Sequence, residues 1–450
     1  MADQQSQQKY IKMTATPVWR LIVGLSLPSV VSMLITSVYN MADTYFVSGL
    51  GDSATGGVGI VYSIQSIVQA LGYGLGMGCS SLISRCLGKK DSRTAEKYAS
   101  SALAAALVLG TVLMAVCLAA LRPTMRLFGS TDTILPYACD YGRIILIGAP
   151  LMCSAFVMNN ILRSQGAATL SMVGLCAGGI ANIVLDPLFI YVCNMGISGA
   201  ALATVLSQAV SFCILGSFFV TRRSFVRLSV KNVSLRPADY YTILKTGFPT
   251  ICRQGMGSLS TTLLNIVVRP YGDAAIAAVS IANKIYMLIR NIVLGVGQGF
   301  QPVAGYNFGA GKYGRVKKSF TVAVIFGSIV SCLGALVLAL WSDNIMALFR
   351  ADSPEVIQVG GQMLRLMCFA LPGLAYSTYV NQLYQSLGYV IGATFLASCR
   401  QGIFFVPMIL LLPHFFQLAG VQAAQATADI LTMLVSVPFQ IRFYRRVLKN

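Results

Sequence analysis

The sequence predicts an all-α polytopic membrane protein with twelve transmembrane helices in two pseudo-symmetric six-helix lobes, and three observations predict it. The first is composition: 56% of the 450 residues are hydrophobic and 10% are charged, with mean hydropathy +0.71, whereas a soluble domain carries about 25% charged residues. The second is arrangement, since charge falls in short patches separated by apolar runs long enough to cross a hydrocarbon core of about 30 Å as a helix. The third is that the chain repeats itself at an offset of 221 residues. Together these exclude a soluble enzyme, a nucleic-acid-binding protein and a secreted disulfide scaffold. The net charge of +19 is that of Lys and Arg collected in cytoplasmic loops.

The apolar runs place spans at 18–47, 55–82, 95–121, 134–161, 168–192 and 197–220, then 242–268, 275–303, 317–341, 356–384, 390–412 and 418–440. Segment 1–17 is then a cytoplasmic N-terminal stretch, 18–220 the first lobe, 221–241 a basic cytoplasmic linker, 242–440 the second lobe and 441–450 a cytoplasmic tail. The first sixteen residues are polar and hold no apolar core with a small-residue cleavage site, so no signal peptide is expected. With both termini inside, 23 of the 33 basic residues fall in cytoplasmic segments and four, Arg122, Arg126, Arg269 and Arg350, fall outside, which fixes the orientation. Trp19 and Trp341 then sit at membrane interfaces. The twelve cysteines are scattered in apolar segments without a C-x-x-C pair and read as small buried hydrophobes.

The repeat pairs Pro28 with Pro249, Gly74, Gly76 and Gly78 with Gly295, Gly297 and Gly299, and Gly88 with Gly309. After one inserted residue, Pro150, Asn159 and Gly166 fall on Pro372, Asn381 and Gly388, and Gly199 returns to the first offset against Gly420. Because six spans is an even number, both copies have the same orientation, with an axis along the membrane normal and substrate expected between them. The run Gly72 to Gly78 lies inside an apolar helix, where close packing explains it. Gly311-Lys312 lacks the other parts of a P-loop, and the one histidine, His414, falls in a loop. No catalytic constellation or cofactor site is evident, so the chain is not expected to be an enzyme. Transport by it would be driven by an ion gradient or be passive.

An ionised side chain at the centre of a membrane helix costs roughly 2.5 to 3.5 kcal/mol on insertion scales, so each needs a reason. Asp43 and Asp186 lie near the outer ends of spans 1 and 5, about 6 to 9 Å below the surface at about 1.5 Å per residue. Tyr141, Thr204 and Asn182 share that layer. Two carboxylates in a poorly hydrated pocket cannot both ionise cheaply, and neither is duplicated: Asp43 meets Leu264 at the 221 offset and Asp186 meets the Val406 to Met408 region. Asp140 and Asp429 are weaker candidates, since their sequence neighbours supply no comparable polar set. The second half instead carries Arg253, Lys284, Arg290, Arg365 and Arg400 within spans, a candidate cationic wall.

Asn40-Met-Ala-Asp43-Thr-Tyr-Phe46, Asn182-Ile-Val-Leu-Asp186-Pro187 and Gln301-Pro302-Val-Ala-Gly-Tyr306-Asn307-Phe308-Gly309 give the chain its resemblance to the multidrug and toxic compound extrusion (MATE) family, and more closely to its DinF-like branch. That resemblance covers nearly the whole chain and implies export of amphipathic, commonly cationic compounds in exchange for H⁺ or Na⁺. It implies a coupling-ion site at Asp43, Asn182, Asp186, Tyr141 and Thr204, with Na⁺ held by Asp43, Asn182, Asp186 and Thr204 if sodium is the ion, and Pro28 as the bend in span 1. Asn40, Arg253, Lys284 and Arg290 are the candidate substrate cavity. The chain lacks the second-lobe acids of the NorM-like branch. The expected partners are a small-molecule substrate and the lipid bilayer, with no nucleic acid and a monomeric state, in the inner (cytoplasmic) membrane. A lipid-linked saccharide flippase of the same superfamily and a passive channel are the alternative readings.

Overall fold

The computed structural model describes residues 2–349 and 353–447; Arg350 and Lys449, placed outside and inside by the sequence, fall outside the described residues. A short helix α1 (Ala2–Ala15) precedes the first lobe: α2 (Val18–Ser48), α3 (Asp52–Gly88), α4 (Ser92–Ala119), α5 (Leu121–Leu127), α6 (Leu135–Ile147), α7 (Ala149–Ser164), α8 (Ala168–Pro187) and α9 (Gly196–Val220). The second lobe follows with α10 (Pro237–Val268), α11 (Asp273–Gly309), α12 (Tyr313–Phe349), α13 (Pro354–Leu387), α14 (Val390–Ser398) and α15 (Phe405–Val447).

Twelve rods emerge from these helices. Eight are long and apolar enough to span a membrane, and α6 with α7, bent by 48°, makes a ninth. The length from Val390 onward holds two rods rather than one, because α15 breaks at Gln417 (φ 49°, ψ −130°) and folds back so that Arg400 meets Asp429 at 2.6 Å. Helices α10 and α13 complete the set at 32 and 34 residues. Several helices outrun their apolar cores. Pro237 in the first turn and Asp239 after it start α10 ahead of the apolar run, since proline lacks the N–H that a first turn leaves unbonded and an acid there suits the helix dipole. Helix α12 kinks at Trp341, where the apolar run ends.

Val108, Val112 and Val116 of α4, and Ile325, Ile329, Leu333, Leu336 and Leu340 of α12, are exposed. At helical spacing they form apolar stripes on the outside of the molecule, the inverse of a soluble helix and the surface a bilayer covers. Three cysteines depart from the buried reading: Cys193, Cys213 and Cys332 are exposed. For Cys213 and Cys332, within α9 and α12, lipid supplies the apolar surroundings that a protein core would.

The duplication is visible in the packing. A Cβ on Gly78 would lie 2.3 Å from the Ile243 carbonyl and 2.7 Å from the Gly247 nitrogen, and one on Gly299 would lie 2.5 Å from the Ser26 nitrogen; these are equivalent contacts at the 221 offset. A Cβ on Gly88 would run into the Tyr306 carbonyl just as one on Gly309 would run into that of Arg85. Asn159 donates to the Ser171 carbonyl (3.1 Å) and Asn381 to that of Ala393 (2.7 Å). The lobes thus close backbone on backbone at the end where α2 begins and α3 ends. At the other end of the same helices, Tyr45, Tyr62, Leu259 and Ile266 are exposed.

Two further segments brace the closed end. Residues 221–236 are tied to the first lobe: Gln165 Oε1 accepts from the Phe225 and Val226 amides (2.7 and 3.0 Å), and Ser100 and Ser101 hydroxyls accept from Ser229 and Ser234. Helix α1 crosses both lobes. Its Met13 is buried beside Gly166 and its Tyr10 ring lies 4.7 Å from Lys90 Nζ, while Met13, Thr14 and Thr16 carbonyls accept from Asn307 (3.1 Å), Lys312 (3.2 Å) and Arg315 (2.6 Å) of the second lobe.

Candidate functional site

Four first-lobe helices deliver the five residues singled out in the sequence. Asp186 ends α8 beside Pro187, where the helix gives way to a π turn, Leu188–Val192; proline removes the hydrogen bond that would have continued the helix. One turn earlier Asn182 donates Nδ2–H to Asp186 Oδ1 at 3.2 Å. Asp186 is fully buried, Asn182 nearly so, and Asp186 Oδ2 has no partner. Asp43, on α2, is within reach of the Asp186 charge, and its Oδ1 is likewise buried and unpartnered. Tyr141 of α6 is 2% exposed and lies within electrostatic reach of both carboxylates and close to Thr204 of α9.

No arginine neutralises this pair among the described residues. Arg143 faces Asp140 at 3.6 Å instead, both side chains more than half exposed. The cluster therefore offers carboxylate, amide, phenol and hydroxyl oxygens with buried acceptor positions left open, a donor set that fits a proton or a hard monovalent cation such as Na⁺ and offers nothing to a soft metal.

One to two turns along α2 and α8 from the carboxylates lies a cavity of about 50 Å³, walled by Tyr39, Asn40, Gln69, Tyr73, Gly178 and Gln208 among others. All belong to the first lobe, whereas the sequence placed substrate between the lobes. Asn40 lines this cavity as expected. Arg253, Lys284 and Arg290 do not line it; they stand in the second lobe, Arg253 within electrostatic reach of Tyr73. Tyr39, Gln69, Tyr73 and Gln208 escaped the sequence reading, although Tyr39 precedes Asp43 by one turn and Gln208 follows Thr204 by one turn. Pro28 lies buried within a continuous α2, where Ser29 and Ser32 hydroxyls donate to the Leu25 and Pro28 carbonyls (3.1 and 2.9 Å).

Asp429 corrects an expectation. Its sequence neighbours had promised no polar set, yet it accepts from Arg400 Nε (2.6 Å), Gln425 Nε2 (2.9 Å) and the Tyr286 hydroxyl. Arg400 and Tyr286 arrive from distant chain segments, which no local reading of Asp429 could supply.

Two duplicated six-helix lobes, closed on each other at one end and holding an unneutralised carboxylate pair in one of them, define a membrane transporter. The chain belongs to the MatE family, whose model matches residues 28–188 and again 249–411, once per lobe and starting at the two equivalent prolines. It is similar to the multidrug export protein MepA of Staphylococcus saprophyticus (24% identity over 421 residues, 93% of each chain) and of Staphylococcus haemolyticus (25% over 405 residues, 90% of this chain and 89% of that one). Among solved structures it is similar to a multidrug resistance MATE family transporter of the MOP superfamily in its outward-facing conformation (26% identity, TM-score 0.93, covering 98% of this chain and 99% of that one). It is also similar to a MOP superfamily transporter from Pyrococcus furiosus described as having a binding pocket of reversed polarity (27%, TM-score 0.91, 98% of each).

Proposed function

We propose that the protein is a secondary active antiporter that exports amphipathic, multidrug-type small molecules across the cytoplasmic membrane in exchange for H⁺ or Na⁺ bound at Asp43 and Asp186. The observation that carries this reading is the carboxylate pair, Asp186 buried and Asp43 half-buried, each with a buried unpartnered oxygen and, among the described residues, no cationic side chain to neutralise it. Such a pair needs a mobile cation whenever it is shut away from water. Ion entry neutralises the pair, α2 bends near Pro28, and the cavity bounded by Tyr39, Asn40 and Gln69 changes shape and releases its cargo. The names of the MepA relatives support export as the direction, and the distribution of basic residues supports cytoplasmic termini with the closed end inside.

The deciding experiment compares wild type with Asp186→Asn in proteoliposomes under separately imposed pH and Na⁺ gradients. Asparagine keeps the size and hydrogen bonding but cannot exchange a proton or carry a charge, so gradient-driven export should fall at least tenfold while substrate binding is kept; Asp43→Asn should behave alike. Normal export by Asp186→Asn would remove the coupling site. Flux that needs no counter-ion would instead support a channel. Orientation is checked separately by Lys89→Cys and Asp273→Cys in a cysteine-free background: impermeant maleimide should label the second and spare the first in intact cells.

A further inference from the structure

Three guanidinium groups gather in the second lobe: Arg253 on α10, Arg290 on α11 and Arg400 in the π turn after α14, each within electrostatic reach of another. Arg400 has its counter-charge in Asp429, whose remaining capacity is taken by Tyr286 and Gln425. Arg253 and Arg290 form no ion pair and no hydrogen bond among the described residues, and Arg290 Nε–H is buried without an acceptor. Both residues are half-buried. Charges inside a membrane protein are held where they are paired or where water or a ligand can reach them, and these two are unpaired among the described residues.

Their placement turns them toward the first lobe. Arg290 follows Tyr286 by one turn and precedes Asn291, whose amide donates to Ser37 Oγ of α2 at 2.7 Å, so this stretch of α11 faces the first lobe. Arg253 lies near Tyr73, a wall of the first-lobe cavity. At the 221 offset Arg290 takes the position of Gln69, a second wall residue. The two guanidiniums thus stand in the second lobe across the boundary from that cavity, with Arg253 in electrostatic reach of its wall residue Tyr73.

We propose that Arg253 and Arg290 together bind the anionic group of the transported molecule, a carboxylate or phosphate-type oxyanion carried on an amphipathic body. A guanidinium presents planar pairs of N–H donors that match an oxyanion, and a bound oxyanion supplies the counter-charge that Arg253 and Arg290 lack. The inference rests on the export reading for the ligand being cargo; its test is equilibrium binding without any gradient, so its failure leaves the coupling proposal standing.

The full-length protein in neutral detergent is titrated with dansylglycine and with dansylglycinamide, two fluorescent amphiphiles that differ in one carboxylate. Wild type should bind the acid at least about tenfold more tightly, the factor that one charge-assisted contact of about 1.4 kcal/mol supplies. In Arg253→Gln/Arg290→Gln that preference should vanish through weaker acid binding, with amide binding unchanged as the measure of an intact fold. Should the double variant lose amide binding as well, the two single variants are read instead, each expected to lose part of the preference, and Arg290→Lys to restore some of it. Equal binding of acid and amide by wild type, or the full preference surviving in the variants, overturns the site. Repeating the titration in nanodiscs with and without phosphatidylglycerol separates the sources: dansylglycine binding should be indifferent to the lipid, and competition by it overturns the assignment to cargo in favour of a lipid headgroup.

Discussion

In the first lobe, the layer between α2, α3, α8 and α9 holds a cavity walled by Gln69, Gly178, Gly179 and Gln208, and the carboxylates next to it have no counter-charge among the described residues. In the second lobe the equivalent layer holds a paired acid. At the repeat offset Asp429 stands where Gln208 stands, Arg400 falls on one of the two glycines and Arg290 on Gln69, and Arg400, Asp429, Tyr286 and Gln425 close into one hydrogen-bonded group. One scaffold therefore carries two solutions to buried charge. The second lobe neutralises its acid internally and locks its helices together; the first leaves its acids waiting for an ion and keeps the neighbouring space open.

The widest gap between the lobes should appear on neutralising one acid in each. Asp429→Asn strands Arg400, whose side chain is 15% exposed, and breaking a buried pair from one side costs about 3 to 5 kcal/mol; thermal unfolding in detergent should show a drop of many degrees. Asp186→Asn removes no ion pair and should leave the melting temperature unchanged or higher while export fails. Equal destabilisation by both would erase the distinction.

The shared scaffold is tested next. A Cβ on Gly247 would meet the Gly74 carbonyl at 2.0 Å, whereas one on Gly255, in the same helix, meets nothing within 4 Å. Gly247→Ala should cost about 1 to 3 kcal/mol as overpacking, and Gly255→Ala should be neutral or stabilising by up to about 1 kcal/mol. The equivalent asparagines sharpen the comparison further. Asn381→Ala loses a hydrogen bond of about 1 kcal/mol, and Asn159→Ala should cost more because it also strands Arg163, whose guanidinium donates to Asn159 Oδ1 at 2.5 Å.

The smallest effect lies outside the spans. Lys97 (2.5 Å) and Ser234 beside Asp239 hold its carboxyl below the ordinary range. The sign follows from linkage: with the folded value depressed, this contribution is present above the unfolded aspartate value near 4 and is lost as pH falls through the folded one. For a partly exposed pair it amounts to about 1 kcal/mol or less and shrinks with salt. Asp239→Asn should flatten the acid limb of the stability profile slightly, measured by thermal unfolding between pH 3 and pH 7.

Much of this was legible in the sequence because a bilayer imposes length and depth on every helix. Span direction alone puts Asp43, Tyr141, Asn182, Asp186 and Thr204 in one layer, and the spacing of Asn182 and Asp186 puts them on one helical face. The repeated glycines announce close packing, and their equivalents do meet backbone to backbone. Illegible were contacts made by residues without unusual chemistry or local neighbours. Gln69, Tyr73 and Gln208 are ordinary polar residues until the fold gives them a common cavity. Asp429 pairs with Arg400 across the chain reversal between the last two spans, and span boundaries do not say which residues meet across such a turn. The docking of α1 depends on Met13, Thr14 and Thr16 carbonyls, and a carbonyl leaves no trace in composition.

That docking loads the equilibrium between conformations. Helix α1 continues through Thr16 and Pro17 into α2, so it travels with the first lobe, yet its Met13 and Thr14 carbonyls and that of Thr16 just beyond it are held by Asn307, Lys312 and Arg315 of the second. Parting the lobes at this end must break those bonds, and the two from charged donors are worth about 1.5 to 3 kcal/mol each before water replaces them. Since about 1.4 kcal/mol is a factor of ten in a population, a segment of fifteen residues that touches neither the ion nor the cargo weighs heavily on how often this end opens.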